Sequence, residues 1–580
     1  MAYMWKAVRG RSVILAVTGL LVLSACNSQP AAESAAPAAA QAEPDVPIHT
    51  ALGDFLAARV AEASGDSKAS AAYYADALAH DPDNVALMQR TFILMVGEGQ
   101  LDAAVPLARR LVDLDSDSPI PQMVLGVRAA IAGDYAKAET HFHALPQTGV
   151  NAFLGPLLSA WALVGEGHTD QALNSLRPLT TNAALGPLHA FHAGLINDLA
   201  NRSSVAAKQY QLALATSQLN IRAVEAAGSL WQRTGRMDRA KDLYDRYVGE
   251  HPDTMLFNGA ALLKAGARAP RVVADARDGL AEAMFDVATL MRQGNAYDYA
   301  MLFARLAVAL QPDFSLAQMT LADLLSIEGR LAEANAVYRA IAPSSPVHTF
   351  GRLRIAMNLD DMGDTKGALA ELDRLLADQP DNLDARIAEG DLLRKHKRFA
   401  EAADAYSEAI ARLPEPRPED WALYYSRGIC LERAGKWPAA EADLLRALEL
   451  QPDQPDVLNY LGYSWIDKGM HLDQARQMIE KAVELRPSDG AIVDSLGWAL
   501  YRMGDYPAAV RMLERAVELK GDDPTINEHL GDAYWQAGRR NEARYQWRRA
   551  LEMDPEPEDI AGLKERISTG RLPSALSATP

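Results

Sequence analysis

The chain has 580 residues, only 7 % of them aromatic, and a formal charge of −18. That length allows several globular domains or one long repeat array, and scarce aromatics with abundant alanine suit packed helices better than sheets. The excess of acid disfavours nucleic acid as a partner, because phosphate binding rewards Lys and Arg.

Residues 1–25 read as a signal peptide. Lys6, Arg9 and Arg11 make a basic start, and Ser12 to Leu23 is an apolar core too short to span a bilayer comfortably. Leu23-Ser-Ala-Cys26 follows. It resembles the lipobox of bacterial lipoproteins, in which cleavage precedes the cysteine and its thiol and amine are acylated. The plain alternative is an ordinary signal peptide with a chance cysteine. In the enterobacterial sorting rule an Asp after the cysteine favours the inner membrane, so Asn27 implies the outer membrane, periplasmic side. Acylation of Cys26 would leave Cys430 with no cysteine to pair with. Residues 26–50 then form a lipidated Cys and a tether. Asn27 to Thr50 is rich in Ala, Pro and Glu with almost no large apolar residue. It should not fold, and fully extended it could reach about 75 Å.

From residue 51 a small residue recurs in steps close to 34. The series is Ala58, Phe92, Gly126, Ala160, Gly194, Gly228, then Ala288, Ala322, Ala356, Gly390, Gly428, Gly462, Gly497 and Gly531, with only Phe92 large. A second position, twelve or thirteen residues later, is alanine in every copy from Ala104 to Ala543 and Ser70 in the first. Two independent series in phase predict fourteen helical hairpins. These divide into an N-terminal array at 51–254 and a C-terminal array at 281–555, with an irregular connector at 255–280 that reads as a degenerate hairpin or a hinge. Pro82-Asp, Pro252-Asp, Pro312-Asp, Pro380-Asp and Pro452-Asp recur between hairpins. The proline stops one helix, and the aspartate is placed to cap the next. Residues 556–580 predict a capping helix, Glu558 to Ile567, and a loose tail.

The last three copies carry the most detail. Their first helices read Asn459-Tyr-Leu-Gly, Asp494-Ser-Leu-Gly and Glu528-His-Leu-Gly, followed by turn glycines at 469, 504 and 538 and by Ala475, Ala509 and Ala543. Leu-Gly, Tyr, Ala, Ala and Pro at these offsets resemble the tetratricopeptide repeat. The resemblance implies an all-α solenoid, a right-handed superhelix of hairpins with first helices on the concave side. It also places groove-facing residues at one and four positions after the small glycine and three before it. These are Asn459, Tyr463 and Ile466, then Asp494, Trp498 and Tyr501, then Glu528, Asp532 and Trp535, with Arg502 adjacent. Aromatics beside amide and acid groups suit peptide or protein-segment binding and are expected to face solvent in the free protein. The alternative is that Trp498 and Tyr463 belong to the core between repeats.

No catalytic signature stands outside the repeats. There is no Gly-rich phosphate loop, no His-Glu-x-x-His, no Gly-x-Ser-x-Gly and no Cys-x-x-Cys. His189 and His192 lie one turn apart but lack a third metal ligand of known position, and Cys430 reads as a small buried hydrophobe. The expectation is a non-enzymatic chain with no cofactor or metal, holding protein or peptide partners and meeting the membrane through its N-terminal lipid. By resemblance, outer-membrane tetratricopeptide lipoproteins of this layout act as adaptors that bring cell-wall hydrolases to a periplasmic carboxyl-terminal processing protease. The runner-up is an assembly or secretion factor for outer-membrane proteins or exported polysaccharide. An enzyme with an unrecognised groove site is the third reading.

Overall fold

The computed structural model describes residues 50–115, 118–215, 220–251, 263, 269–557 and 559–570. The signal segment, Cys26 and the tether up to residue 49 lie outside the described residues. So do 252–262 and 264–268 of the connector region, and the tail from 571. Among the described residues there is no strand, and no helix is long and apolar enough to cross a membrane.

Among the described residues fourteen helical hairpins follow one another, from Ala51–Ala63 paired with Ser67–His80 to Pro524–Gln536 paired with Arg540–Glu552, and the helix Asp559–Thr569 comes after the last. The chain is an all-α solenoid. Each hairpin turns through a residue in the left-handed region, and the turn after Pro455–Lys468 adds a second, His471. Eleven of the hairpins use a glycine, Gly65 to Gly538, and Asn201, Asn295 and Lys397 serve in the other three. A glycine adopts that conformation without steric cost, and asparagine is the next best. After several turn glycines an aspartate caps the second helix. Asp66, Asp134, Asp364 and Asp505 accept from the backbone N–H three residues on at 2.9, 3.1, 2.9 and 3.1 Å.

Between hairpins the caps differ from the expectation. After Pro82-Asp and Pro380-Asp the side chains that cap are Asn84 and Asn382, bonded to Leu87 N–H at 3.1 Å and Ala385 N–H at 2.9 Å. Asp83 and Asp381 stand at the bend with their side chains in solvent. The chain needs one more residue to swing round before the next helix begins, so the cap falls one place later.

The small residues have a common physical cause. All fourteen residues of the second-helix series, Ser70 to Ala543, are fully buried. The first-helix glycines make room for the larger side chain one turn beyond that alanine. A Cβ on Gly126 would lie 2.3 Å from Phe142, on Gly194 2.5 Å from Tyr210, on Gly497 2.5 Å from Leu513, and on Gly531 2.4 Å from Trp547. Phe92 inverts the arrangement. It is buried on the first helix, and the position that holds Phe142 or Tyr210 elsewhere is Ala108, also fully buried. Volume is conserved across the hairpin although the residues exchange places.

The N-terminal repeats do not keep an open face. Helix Ala276–Gln293 begins inside the segment read as a connector and packs against the first helix of the fourth hairpin, Asn151–Gly165. Gly279 is pressed on the Trp161 ring, where a Cβ would come within 2.1 Å. Trp161 Nε1–H donates to His192 Nδ1 at 2.9 Å, and His192 Nε2 meets Asp286 Oδ2 at 2.9 Å. Arg222 reaches across with two bonds to Glu282, at 2.9 and 2.6 Å. Further on, Tyr297–Leu310 lies on Val85–Gly97 and Pro119–Ile131. Arg305 Nε–H donates to Gly97 O at 3.0 Å, and Arg330 donates to Glu98 at 2.7 Å, 232 residues away. One continuous apolar core accordingly runs from Leu78 to Ile355, whereas the repeats after it form smaller separate clusters.

Candidate functional site

The first helices of the last four hairpins are Trp421–Arg433, Pro455–Lys468, Gly490–Arg502 and Pro524–Gln536. The residues singled out from the sequence lie on the last three, but the structure sorts them into two groups.

Asp494, Trp498, Tyr501 and Asp532 are buried, with exposures of 6, 5, 3 and 1 %. They correct the expectation of a solvent-facing aromatic wall. Trp498 stacks on Tyr501, centroids 4.9 Å apart at 14°, and on His529, 4.1 Å apart at 18°. His529 Nδ1 lies 3.0 Å from Asp494 Oδ2. The stack therefore bridges two successive first helices and excludes water between them. Ile466 is buried as well. The terminal helix Asp559–Thr569 covers the other end of the set. Arg566 pairs with Glu528, and its Nε lies 3.4 Å from Asp532 Oδ1. Gly570 sits directly over the Trp535 ring, which also carries the Arg540 guanidinium at 4.0 Å. Glu528, Asp532 and Trp535 are thus engaged by the chain itself.

The second group is half-buried, on the two preceding first helices and at the end of Gly490–Arg502. It contains Asn459, Tyr463 and Arg502, the last with Nη1 3.4 Å from Asp467 Oδ1. Three aromatics not singled out from the sequence join them. Trp421 and Tyr425 have centroids 5.9 Å apart, Tyr425 meets Tyr460 edge-on at 5.9 Å, and Tyr460 Oη donates to Glu432 at 3.3 Å. Tyr425 stands three residues before Gly428. The offset used for Asn459, Asp494 and Glu528, carried one repeat further back, identifies it. Burial, and then the nearby carboxylates of Asp494 and Asp467, raises the Tyr463 phenol well above its ordinary range, so it is a neutral donor throughout physiological pH.

Two buried groups respond to pH. Burial works against a charged His529, but the Asp494 carboxylate outweighs it and the imidazole pKa rises above 6.5. Burial pushes the Asp532 carboxyl up to about 7, against the pull of Arg566. Its Oδ1 accepts from Trp547 Nε1–H at 2.9 Å, and Oδ2 has no partner, which leaves a place for the proton. In both cases the folded state binds the proton more tightly than the unfolded chain. The Asp532 contribution is full below the usual carboxylate value of 3.8 and fades as pH rises to about 7. The His529 contribution is full below 6.5 and fades as pH climbs through its raised value. The C-terminal repeats are therefore expected to lose urea resistance as pH rises from about 4 to about 7, through Asp532, and further above 6.5, through His529. Asp532→Asn should remove the lower part of that slope and His529→Asn the upper part.

The remaining chemical candidates are accounted for by packing. Both ring nitrogens of His192 are used by Trp161 and Asp286. Cys430 is buried, and burial pushes its thiol up to about 11. Among the described residues no three His, Cys, Asp or Glu side chains are placed to hold a metal ion.

A tetratricopeptide-repeat family model matches residues 353–416, 409–455, 425–490 and 495–557, and a second tetratricopeptide-repeat model matches 209–254. The hairpins within those residues match tetratricopeptide repeats, a unit whose general use is to hold protein partners, and the chain is an all-α solenoid of hairpins of that kind. A TPR repeat-containing protein of Pseudomonas aeruginosa is 33 % identical over 190 residues, 32 % of this chain and 32 % of that protein. Bacteriophage adsorption protein A of Escherichia coli is 35 % identical over 85 residues, 15 % of this chain and 8 % of that protein. The aligned region thus covers about a third of the first relative and under a tenth of the second. Among solved structures, Cut9 with Hcn1 of the APC/C matches 85 % of this chain and 98 % of its own at 15 % identity, TM-score 0.36. Yeast Tom70 matches 89 % and 94 % at 14 % identity, TM-score 0.33.

Proposed function

We propose that the chain is a lipid-anchored periplasmic scaffold on the outer membrane that holds a protein segment against Trp421, Tyr425, Tyr460 and Tyr463. The observation that carries this reading is the contrast between the two groups. The first-helix aromatics of the last two repeats are used up by internal packing and by the terminal helix, whereas this row is half-buried, adjacent and flanked by Asn459, Glu432 and Arg502. Rigid aromatics beside hydrogen-bonding groups suit an extended or helical peptide. Leu23-Ser-Ala-Cys26 and the Ala- and Pro-rich segment after it support the anchor and the tether. Together with the long array they also support an adaptor that links a carboxyl-terminal processing protease to cell-wall hydrolases.

Tyr425→Ala with Tyr463→Ala is expected to weaken partner binding by about 2 kcal/mol or more, with little change in helicity. A pull-down of the intact protein from membranes identifies the partner. Recovery of a processing protease with wall hydrolases supports the adaptor, and recovery of export machinery transfers the reading to an assembly or secretion factor. Turnover of a small substrate by the purified protein alone would replace both with an enzyme. Location is tested separately. Cys26→Ser should move the protein from the membrane fraction to the soluble one, because acyl burial supplies about 0.8 kcal/mol per CH₂. Retention after a salt wash would sink the lipid anchor.

A further inference from the structure

The terminal helix is lightly held. Of the eleven residues in Asp559–Thr569 only Leu563 and Arg566 are buried, against ten in Gly490–Arg502 and eight in Pro524–Gln536. What it covers is polar. Arg566 enters between Glu528 and Asp532, and Gly570 sits against the Trp535 ring, where a Cβ would come within 2.2 Å. The cover also fits incompletely. Trp498 Nε1, Tyr501 Oη and Asp532 Oδ2 belong to residues at most 5 % exposed, and none of the three atoms has a hydrogen-bond partner. Burial, and then the Asp532 carboxylate, raise the Tyr501 phenol above its ordinary range, so those two groups share one space. Folded chains rarely leave buried donors and acceptors unmet, and three together mark a place built for something else.

We infer that Trp498, Tyr501, Glu528, Asp532 and Trp535 form a second binding site, for an arginine- or lysine-bearing segment of a partner protein, and that Asp559–Thr569 is its internal occupant. The chemistry of the ligand is read from what stands in for it. A partner's cation takes the place of Arg566 between the two carboxylates, and an apolar residue takes that of Leu563. Backbone carbonyls supply the acceptors that Trp498 Nε1–H and Tyr501 Oη–H lack, and Asp532 Oδ2 accepts from a backbone N–H. The helix is tethered beside the site at an effective concentration of about a millimolar, so it keeps weakly binding basic segments out.

The test uses a labelled synthetic peptide of residues 559–570 as probe, and fluorescence anisotropy with the full chain. The parent should bind it poorly. Arg566→Glu repels the cover from the two carboxylates. Gly570→Val lifts its end off the Trp535 ring, at a φ of 68° that a β-branched residue does not tolerate. Each variant should tighten peptide binding by about tenfold or more. Replacing the peptide's arginine by alanine should abolish binding. Glu528→Lys added to Arg566→Glu should re-form the pair with its sign reversed and shut the peptide out. Hydrogen exchange gives the control. In both cover variants Asp559–Thr569 should lose protection while Pro524–Gln536 and Arg540–Glu552 keep it. Loss of protection throughout that last hairpin in both variants makes the helix a structural cap and overturns the inference. So does a peptide affinity that neither variant raises, or one that survives removal of the peptide's arginine.

Discussion

Trp498→Ala is expected to destabilise the C-terminal repeats by about 3–5 kcal/mol, the cost of emptying a buried aromatic site. The ring is 5 % exposed and contacts Tyr501 and His529 face to face, so its removal opens a cavity between two successive first helices and admits water beside the His529–Asp494 pair. In a solenoid each repeat leans only on its neighbours, so the damage should stay local. Hydrogen exchange should rise around residues 490–569 and change little between 51 and 240. The same geometry sets the outcome for Tyr501→Ala with Trp535→Ala. These aromatics do not wait in solvent for a ligand. Tyr501 is 3 % exposed, and Trp535 lies under Gly570 and Arg540, so the pair should melt early. A Trp498→Ala variant that melts with the parent would mean the stack is not formed in solution.

The difference between what the sequence showed and what the structure adds follows from the range of each interaction. Period, turn and small-residue positions are local. A hairpin needs a left-handed turn residue and one close approach of two helices, and both leave a mark at fixed spacing, even where Asn201, Asn295 or Lys397 replaces the glycine. Phe92 looked like an exception because only one side of the contact was read. Its complement Ala108 lies sixteen residues on, the same distance that separates Gly126 from Phe142. The groove was less legible. The offsets of Trp498 and Tyr501 say which side of the helix they occupy, but burial depends on what the next element brings. His529 from the following first helix, and Arg566 and Gly570 from the terminal helix, close over that side. Tyr425 and Tyr460 obey the same local rule and stay half-buried, edge-on to one another, with Tyr460 bonded to Glu432.

The least local feature is the filling of the N-terminal repeats by helix Ala276–Gln293, and it gives a prediction of comparable size. Glu282 is 1 % exposed and receives two bonds from Arg222, itself largely buried, with Phe314 4.9 Å beneath its guanidinium. Arg222 donates a further bond to Glu225 at 2.5 Å. Two carboxylates around one guanidinium in a dry seam are balanced only as a set. Glu282→Ala strips the better-buried partner and leaves the arginine with one carboxylate and two unmet N–H donors in the seam, at a cost of about 3–5 kcal/mol. Arg222→Met with Glu225→Gln and Glu282→Met should recover most of that loss, because no buried charge is then left without its partner. The location of the effect distinguishes this seam from an ordinary surface ion pair. Exchange should rise together in Asn151–Gly165, Ile221–Arg233 and Ala276–Gln293, elements up to about 140 residues apart in sequence but packed as one body. Had these repeats kept an open face, a substitution at 282 would disturb only its own hairpin and the one beside it. A loss of under about 1 kcal/mol, the value of an exposed pair, would show that the helix is not seated there.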